Sequence, residues 1–378
     1  MEPYQGVFKR IEKKYRVAPS QRTAVEAAAH RDGAMDIDEH GRTRITSLYL
    51  DTPHRAIIAR SVEKPLYKEK LRLRAYGRST GAALVAAFGP GAPMRVPGQL
   101  PPSDELVRER AAAGCAAALA VAVEEDAAIG SVAPDGGGTK RVGGARMEQF
   151  GGTAALGSPA PSAPLDPLDP CALTVFFGIK KKFKGIVYKR RLVLSLPAAV
   201  AFVGGCSYEV AVSRWPSADP ALAAGALAPG TRQIARELEA AMDRWVPLGP
   251  SMGIACDREA WAVVVEGAPG DPQAAGASNG PGALDPSAVD SLRVAGAELR
   301  LTFDNRLEYL DRGAASADWR SIIDPDESIL EIKSAGPYPA WLVAALSDAA
   351  IYPTSFTKYG RAYQLAEGTA LQRSAAVG

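Results

Sequence analysis

Residues 67–77, which read YKEKLRLRAYG, carry positive charges at alternating positions, and this spacing constrains the fold of the segment. The cations are Lys68, Lys70, Arg72 and Arg74, and mostly apolar residues stand between them. Because alternate side chains of a β-strand point to opposite faces, a strand here carries four charges on one face and an apolar stripe on the other. Four like charges in a row repel one another. The segment therefore predicts a strand whose charged face is either solvated or covered by an anion.

The same spacing recurs along the chain. Residues 7–17 place Arg10, Glu12 and Lys14 on one face, and a hairpin over 173–196, with its turn at Gly185, carries further cations. Strands are also predicted at 44–50, 253–265, 298–304 and 328–334. The charged residues at strand parity in the second half of the chain are Lys180, Lys182, Lys189, Arg191, Arg258, Arg300, Glu331 and Lys333, and a last basic segment adds Lys358. About eight strands with few helices between them favour a mainly antiparallel α+β fold, as a sheet or barrel.

Cations that face the inside of a barrel need an anionic ligand. A wide barrel can enclose polar side chains and a ligand in place of a packed core. Phosphate chains match such a lining, because Arg binds phosphate through two hydrogen bonds and Lys acts as a point charge. The few acidic residues among the cations suit a divalent ion held jointly by carboxylate and phosphate oxygens.

The totals exclude several other classes of protein. A net charge of +2 over 378 residues does not suit a general nucleic-acid-coating protein, and no nucleic-acid partner is expected. The four cysteines form no CxxC pair, which argues against a zinc site and favours a reducing compartment. No run of 18 apolar residues and no apolar segment near residue 1 occur. We therefore expect a cytoplasmic chain with no secretory signal and no membrane span.

The composition changes between residues 78 and 172, where Ala, Gly and Pro dominate. Such a segment buries little apolar surface to offset the entropy lost on ordering. The sequence predicts a mostly disordered insertion, with one helix from Ser103 to about Glu125. Residues 366–378 are predicted to form a flexible tail.

Eight short motifs stand in an order that resembles a known family. They are RxExKY at 10–15, SLYLDTP at 47–53, KLRLRAYG at 70–77, FxxIKKK at 176–182 followed by KRR, DREAW at 257–261, RLTFD at 300–304, LEIK at 330–333 and SFTKYGRAY at 355–363. This series resembles the vacuolar transporter chaperone (VTC) domain, in the polyphosphate polymerase branch of the CYTH-like or triphosphate-tunnel superfamily. The resemblance covers about residues 5–77 and 173–365, which we interpret as a single domain.

The resemblance implies an eight-stranded antiparallel tunnel barrel with flanking helices. It implies transfer of the γ-phosphate of ATP to a growing polyphosphate chain, with Mn²⁺ or Mg²⁺, by positioning and charge neutralisation. The implied catalytic residues are Arg72, Arg74, Lys180, Lys189, Arg258 and Arg300. The implied substrate-binding residues are Arg10, Lys14, Lys333, Thr357 and Lys358, and the implied metal ligands are Glu12 and Glu331. Membrane-bound partner subunits, and through them a location at the cytosolic face of a membrane, also follow from the resemblance.

Two departures from the family pattern leave alternatives open. Gly178 stands where the family has Glu, and the 78–172 segment interrupts a pair of tunnel strands. One alternative is a non-catalytic accessory subunit that binds polyphosphate. The other is a metal-dependent triphosphate or nucleoside-triphosphate hydrolase on the same barrel. Hydrolases of this superfamily begin with ExExK, and Arg10 at the first Glu position disfavours that alternative.

Overall fold

The computed structural model describes residues 11–130, 169–184, 186–263, 299–314 and 318–377. Arg10, which the sequence assigned to substrate binding, lies outside the described residues. Residues 131–168, the middle of the predicted insertion, also lie outside them.

A single antiparallel sheet contains every strand in the described part of the chain. The strands are β1 (Ile11–Val17), β2 (Met35–Asp51), β3 (Tyr67–Tyr76), β4 (Thr174–Phe183), β5 (Ile186–Ser195), β6 (Gly249–Val263), β7 (Arg300–Asp311), β8 (Arg320–Ser321) and β9 (Ser328–Ser334). Their order across the sheet is β1-β9-β7-β6-β2-β3-β4-β5, and β8 pairs with β7. The predicted antiparallel α+β class is confirmed.

The predicted closure into an eight-stranded barrel is not confirmed. Among the described residues no pairing joins β1 to β5, so the sheet remains open. The outer edge of β1 is bonded elsewhere, because the amide of Thr354 donates to the carbonyl of Lys14 at 2.7 Å. Tyr15 and Pro353 form an isolated bridge at the same edge. A chain segment, not β5, therefore occupies part of this edge.

Helices cover both faces of the sheet. They are α1 (Pro19–Gly33), α2 (Ala56–Val62), α3 (Arg78–Ala87), α4 (Asp104–Gly130), α5 (Leu196–Val203), α6 (Tyr208–Arg214), α7 (Pro220–Ala226), α8 (Pro229–Asp243), α9 (Ala340–Asp348) and α10 (Lys358–Val377). No helix in the described ranges is long and apolar enough to cross a membrane.

The apolar side of each strand packs against most of these helices. Leu71 and Leu73 of β3 are fully buried in a large cluster with residues of α3, α4, α5, α6 and α8. A second cluster joins β1, β7 and β9 to α1 and α9, with Phe303 and Leu330 at its centre. Buried apolar area of this kind is the main favourable term in folding, so these clusters fix the strands whose other face carries charge.

The predicted disorder is wrong for α3, whereas the helix predicted from Ser103 to about Glu125 is confirmed as α4. Residues 78–87 and 104–130 form α3 and α4, and Leu84, Phe88 and Val107 are fully buried in the large cluster. Ala is the best helix former, and its small side chain lets helices approach closely. At Gly114 an added Cβ would lie 2.7 Å from the side chain of Leu196, so α4 packs tightly against α5. An Ala-rich composition here builds close helix packing instead of disorder.

The predicted tail, 366–378, overlaps the last helix. The helix α10 runs from Lys358 to Val377, through most of the 366–378 segment. Tyr359 is almost fully buried, and Ala362 is fully buried, in a third cluster with Ile58 of α2 and with β2, β6 and β7. The start of α10 therefore packs with Ile58 of α2 on the side of the sheet opposite to α3, α4 and α5.

Candidate functional site

The strand register brings charged residues from β1 to β7 and from β9 onto one face. Residues paired directly across antiparallel strands point to the same side of a sheet. Across the sheet the pairs are Lys14 with Glu331, Glu331 with Thr302, Arg258 with Asp304, Tyr49 with Arg72, Lys70 with Lys180, and Lys180 with Lys189. We call this side the charged face. It contains every strand residue of the predicted site that the structure describes.

One part of the charged face is neutralised from within. Lys14 of β1 contacts Glu331 of β9 and donates to Glu12 at 2.9 Å. Lys333 bonds the other oxygen of Glu331 at 2.7 Å. Burial raises the pKa of Glu331, but Lys333 and Lys14 outweigh it and lower that pKa to about 2. This carboxylate is therefore ionised and held between two ammonium groups.

A second buried carboxylate completes this part of the face. Asp304 of β7 is almost fully buried, and its two oxygens accept from Arg258 at 2.7 and 2.8 Å. Lys358 of α10 reaches the same carboxylate at 2.7 Å. Burial raises the pKa of Asp304, yet the two cations hold it well below the usual value. The paired zone is Glu12, Lys14, Arg258, Asp304, Glu331, Lys333 and Lys358.

The other part of the charged face has cations without carboxylates. The unpaired zone spans β3, β4 and β5 and consists of Lys68, Lys70, Arg72, Arg74, Lys180, Lys182, Lys189 and Arg191. None of these eight residues forms a salt bridge within the described part of the chain. On β3 the residues between them, such as Leu71 and Leu73, are buried, so the predicted alternation is confirmed.

The pKa shifts differ in sign between the zones. In the unpaired zone, burial and then neighbouring cations lower the pKa of Lys68. Burial and then Lys180 lower the pKa of Lys189, and burial and then Arg72 lower the pKa of Arg74. In the paired zone the pKa of Lys14 is raised, because Glu331 and Glu12 outweigh its burial. The unpaired zone thus carries an electrostatic strain that an anion would relieve.

The start of α10 touches both zones. Lys358 belongs to the paired zone, and the next residue, Tyr359, stacks on Tyr49 of β2 with ring centroids 4.2 Å apart. The ammonium of Lys70 lies 5.7 Å from the ring centre of Tyr359. The hydroxyl of Tyr359 donates to the buried Asp51 at 2.8 Å, which fixes the ring. The helix therefore anchors the boundary between the two zones.

Tyr76 is an acidic group beside Arg74 on β3, and Tyr49 of β2 is a second acidic group that faces the cations of β3. Burial raises the pKa of Tyr49, but Arg72, Lys70 and Arg74 together lower it to about 8. Next to it, Ser47 accepts a hydrogen bond from Arg74 at 3.1 Å. A phenol in this position can give up its proton in weakly alkaline solution.

Residues 9–86 match the model of the VTC domain. The resemblance inferred from the motifs is therefore confirmed, over a region that runs from β1 through most of α3. No curated protein matches the chain. The VTC domain is associated with polyphosphate synthesis, a transferase activity.

The VTC match contains both zones in part. It includes Glu12 and Lys14 of the paired zone and all the cations of β3. It also extends beyond residue 77 into α3, where the sequence predicted an insertion. The ordered start of that segment therefore lies within the VTC match.

Two predicted site residues lie at the margin of the charged face. Arg300 is exposed at the beginning of β7, opposite Lys333. Thr357 precedes α10, and its hydroxyl accepts the amide hydrogen of Gly360 at 3.1 Å, as helix caps do. Its own hydroxyl hydrogen is still available to a ligand.

Gly178 is one reason why the unpaired zone has no carboxylate. It lies on the charged face of β4, paired with Arg72 on one side and Arg191 on the other. A Glu here, which the resemblance to the family implies, would stand between two guanidinium groups. Glycine leaves both without that partner, and it also lets the carbonyl of Arg190 approach to 3.0 Å of the position of an added Cβ.

Sequence reasoning missed a member of this face and gave two others no role. Asp304 was treated only as the end of a motif, although two predicted cations converge on it. Parity identified Lys182 and Arg191 beside Lys180 and Lys189, but they were not given a role in the site. Asp304 needed the long-range register.

The carboxylates of the paired zone suit a hard divalent cation only in part. Among the described residues no group of three or more Asp, Glu, His or Cys side chains could hold a metal ion. Glu12 and Glu331 both contact the ammonium of Lys14, which places them beside each other. Mg²⁺ is commonly held by one or two carboxylates, with phosphate oxygens and water as the other ligands. Glu12 and Glu331 fit such a shared site.

Proposed function

We propose that this chain is an ATP-dependent polyphosphate polymerase that binds its chain of phosphates on the charged face. The observation that supports the proposal is the unpaired zone, where eight cations face one side of three adjacent strands without a carboxylate partner in the described residues. A polyphosphate chain supplies a row of negative charges that matches such a row of cations. The match of residues 9–86 to the VTC domain supports the same activity.

In the proposed reaction the protein forms no covalent bond to the substrate. Arg72, Arg74, Lys180 and Lys189 hold phosphate oxygens and neutralise the charge that builds up during transfer. An oxygen of the terminal phosphate of the chain attacks the γ-phosphorus of ATP, and the bond to the β-phosphate oxygen breaks. The products are ADP and a chain that is one phosphate longer.

A divalent ion has a place in this proposal. Glu12 and Glu331 would hold Mn²⁺ or Mg²⁺ together with phosphate oxygens, and Lys14 and Lys333 would then turn toward those oxygens. When bound, the ion would neutralise charge on the triphosphate. Because the pKa of Glu331 is about 2, its carboxylate is ready to bind a cation at neutral pH.

The test uses two neighbouring lysines of β4 that point to opposite faces. Lys180 lies on the charged face and pairs with Lys189, whereas Lys181 lies on the other face and pairs with Tyr188. The purified chain is incubated with ATP and MnCl₂, and polyphosphate and ADP are measured. We expect K180A to reduce synthesis about a hundredfold and K181A to leave it almost unchanged. Both variants should unfold at the wild-type temperature.

Three other results would contradict the proposal. Equal activity of K180A and wild type would mean that the charged face is not the site. Release of orthophosphate without chain growth would identify a hydrolase. Binding of polyphosphate with no product from ATP would identify a binding protein.

The last of these alternatives has one observation in its favour. Gly178 removes a carboxylate from the middle of the unpaired zone, and this favours tight binding of a polyanion over its release. A non-catalytic polyphosphate-binding subunit is therefore our second candidate. Affinity for polyphosphate that depends on Lys180, in a chain that is inactive with both Mn²⁺ and Mg²⁺, would establish it.

A further inference from the structure

One end of the β4–β5 hairpin exposes apolar side chains in a ring of lysines. Leu66, Phe183, Ile186, Val187 and Tyr188 are 73, 44, 54, 40 and 48% exposed. They are neighbours, because Phe183 pairs with Ile186 and with Tyr67, and the amide of Lys184 donates to the carbonyl of Leu66 at 3.1 Å. Adjacent to them are Lys64, Lys181 and Lys184. We call these eight residues the hairpin patch.

The hairpin patch is open on both sides of the sheet. Phe183 and Ile186 point to the helix-covered side, whereas the neighbouring pair of Lys182 and Val187 points to the charged face. Every described residue from Ile186 to Arg191 is exposed. The helix α8 reaches Arg190 through Glu237 at 3.2 Å, but no helix in the described ranges covers Ile186, Val187 and Tyr188. A protein partner typically covers one face of a strand pair. A two-sided apolar end is suited to insertion into a soft apolar layer.

The lysines of the hairpin patch specify the charge of that layer. Lys64, Lys181 and Lys184 form no salt bridge in the part of the chain that the structure describes. Lys184 lies over the ring of Phe183 at 5.4 Å, and its long apolar stem can extend along an apolar surface while the ammonium stays in water. Aromatic and aliphatic side chains surrounded by lysines are typical of segments that bind anionic membrane surfaces.

We propose that the hairpin patch docks this protein on the surface of an anionic phospholipid bilayer. The apolar side chains enter the boundary between headgroups and acyl chains, and the lysines contact the headgroups. Pairing with a second copy through the edge of β5 would bring the rows of Lys189, Arg190 and Arg191 against each other, and cationic edges oppose such pairing. A soluble polyanion would leave Phe183 and Ile186 in water. Of these three partners, only an anionic bilayer supplies both negative charge for the lysines and an apolar layer for the exposed side chains.

The experiment is flotation of the full chain with vesicles of phosphatidylcholine, with or without phosphatidylserine. We expect binding only to the vesicles that contain phosphatidylserine. The double variant F183S/I186S should weaken this binding at least about tenfold. Its matched control is V343S/Y352S, because Val343 and Tyr352 are 52 and 75% exposed elsewhere on the molecule. The control should bind as wild type does, and both variants should keep the wild-type unfolding temperature.

The charge is tested separately. K64Q and K184Q should each reduce binding to phosphatidylserine vesicles about fivefold, whereas K13Q, an exposed lysine on β1, should have no effect. Binding of F183S/I186S at the wild-type level would overturn the proposal. The proposal would also be overturned if K180A abolished vesicle binding and F183S/I186S did not. Lipid headgroups would then bind in the unpaired zone. Self-association that F183S/I186S abolishes, with no vesicle binding, would instead identify a second copy as the occupant.

Discussion

The paired and unpaired zones of the charged face are built from the same kinds of side chain, yet they carry opposite electrostatic consequences. In the paired zone, Arg258 and Lys358 share one buried carboxylate, and the pKa of Asp304 is lowered. In the unpaired zone, burial and like charges lower the pKa of Lys70. The first arrangement stabilises the folded chain. The second destabilises it slightly and favours any anion that binds.

The difference shows how one sheet can be stable and also bind anions. The unpaired cations are tolerated because their strand is fixed from behind, where Leu71 and Leu73 are fully buried. The paired zone adds ion pairs that cross from β7 to β6 and to α10. We therefore infer that the paired zone fixes the geometry and that the unpaired zone provides the affinity for anions. Each of the following predictions tests one side of this comparison.

The largest effect is expected when the paired zone loses its buried carboxylate. In D304N, Arg258 and Lys358 remain half-buried without a compensating charge. Removing one partner of a buried ion pair typically costs about 3 kcal/mol, and we expect the free energy of unfolding in urea to fall by that amount. D257N is the control, because the more exposed Asp257 contacts Arg44 and Arg306. A cost in D304N as small as in D257N would show that the two zones do not differ in stability.

The next effect compares one arginine from each zone. R72A removes a cation with no carboxylate partner, so the free energy of unfolding should stay constant or rise slightly. The affinity for inorganic polyphosphate should fall about thirtyfold, because a charged hydrogen-bonding group is lost. R258A should instead lower stability, because Asp304 then keeps only Lys358. Calorimetric titration and urea unfolding of both variants measure the two quantities. A loss of stability in R72A would contradict the division into zones.

The charged face itself was predictable from the sequence, because strand parity is a local property. The alternation in residues 67–77 correctly placed Arg72 and Arg74 on one side and Leu71 and Leu73 on the other. The same rule placed Lys180 and Lys189 together. Parity requires only that the segment is a strand, and β-rich composition supplied that information.

Features that depend on contacts distant in sequence were not predictable in this way. The partners of Asp304 come from β6 and α10, and no local pattern specifies them. The order in α3 depends on burial against α4, α5 and the sheet, so Ala-rich composition alone misled the prediction there, whereas the helix of α4 was predicted. The outer edge of β1 is bonded by Pro353 and Thr354, which follow β1 by more than three hundred residues. In each case tertiary packing outweighed a correct local rule.

A smaller effect follows from converting the unpaired zone into a paired one. In G178E a carboxylate would stand between Arg72 and Arg191, as the family pattern has it. We expect the affinity for polyphosphate to fall about tenfold, because one negative charge then competes with the ligand. G178A controls for crowding, since its Cβ would also lie 3.0 Å from the carbonyl of Arg190. Equal affinities of G178E and G178A would mean that the missing carboxylate does not affect binding.

The smallest effect at neutral pH concerns Tyr49, an acidic group that faces the cations of β3. Its pKa is about 8, because Arg72, Lys70 and Arg74 outweigh its burial. A bound polyphosphate would neutralise these cations and repel the phenolate, so binding should favour the protonated phenol. The affinity should therefore be full below pH 8 and decrease as the pH rises through it, by at most about tenfold per pH unit. Y49F keeps the ring that stacks on Tyr359 and loses the titrating proton. Affinities measured between neutral pH and pH 9 should decline less steeply in Y49F than in wild type, and the part that remains in Y49F belongs to Tyr76 and the lysines, whose pKa values are also lowered. Equal declines in Y49F and wild type would show that Tyr49 does not lie near the bound polyphosphate. The anion-binding surface would then begin at β3 and would not include β2.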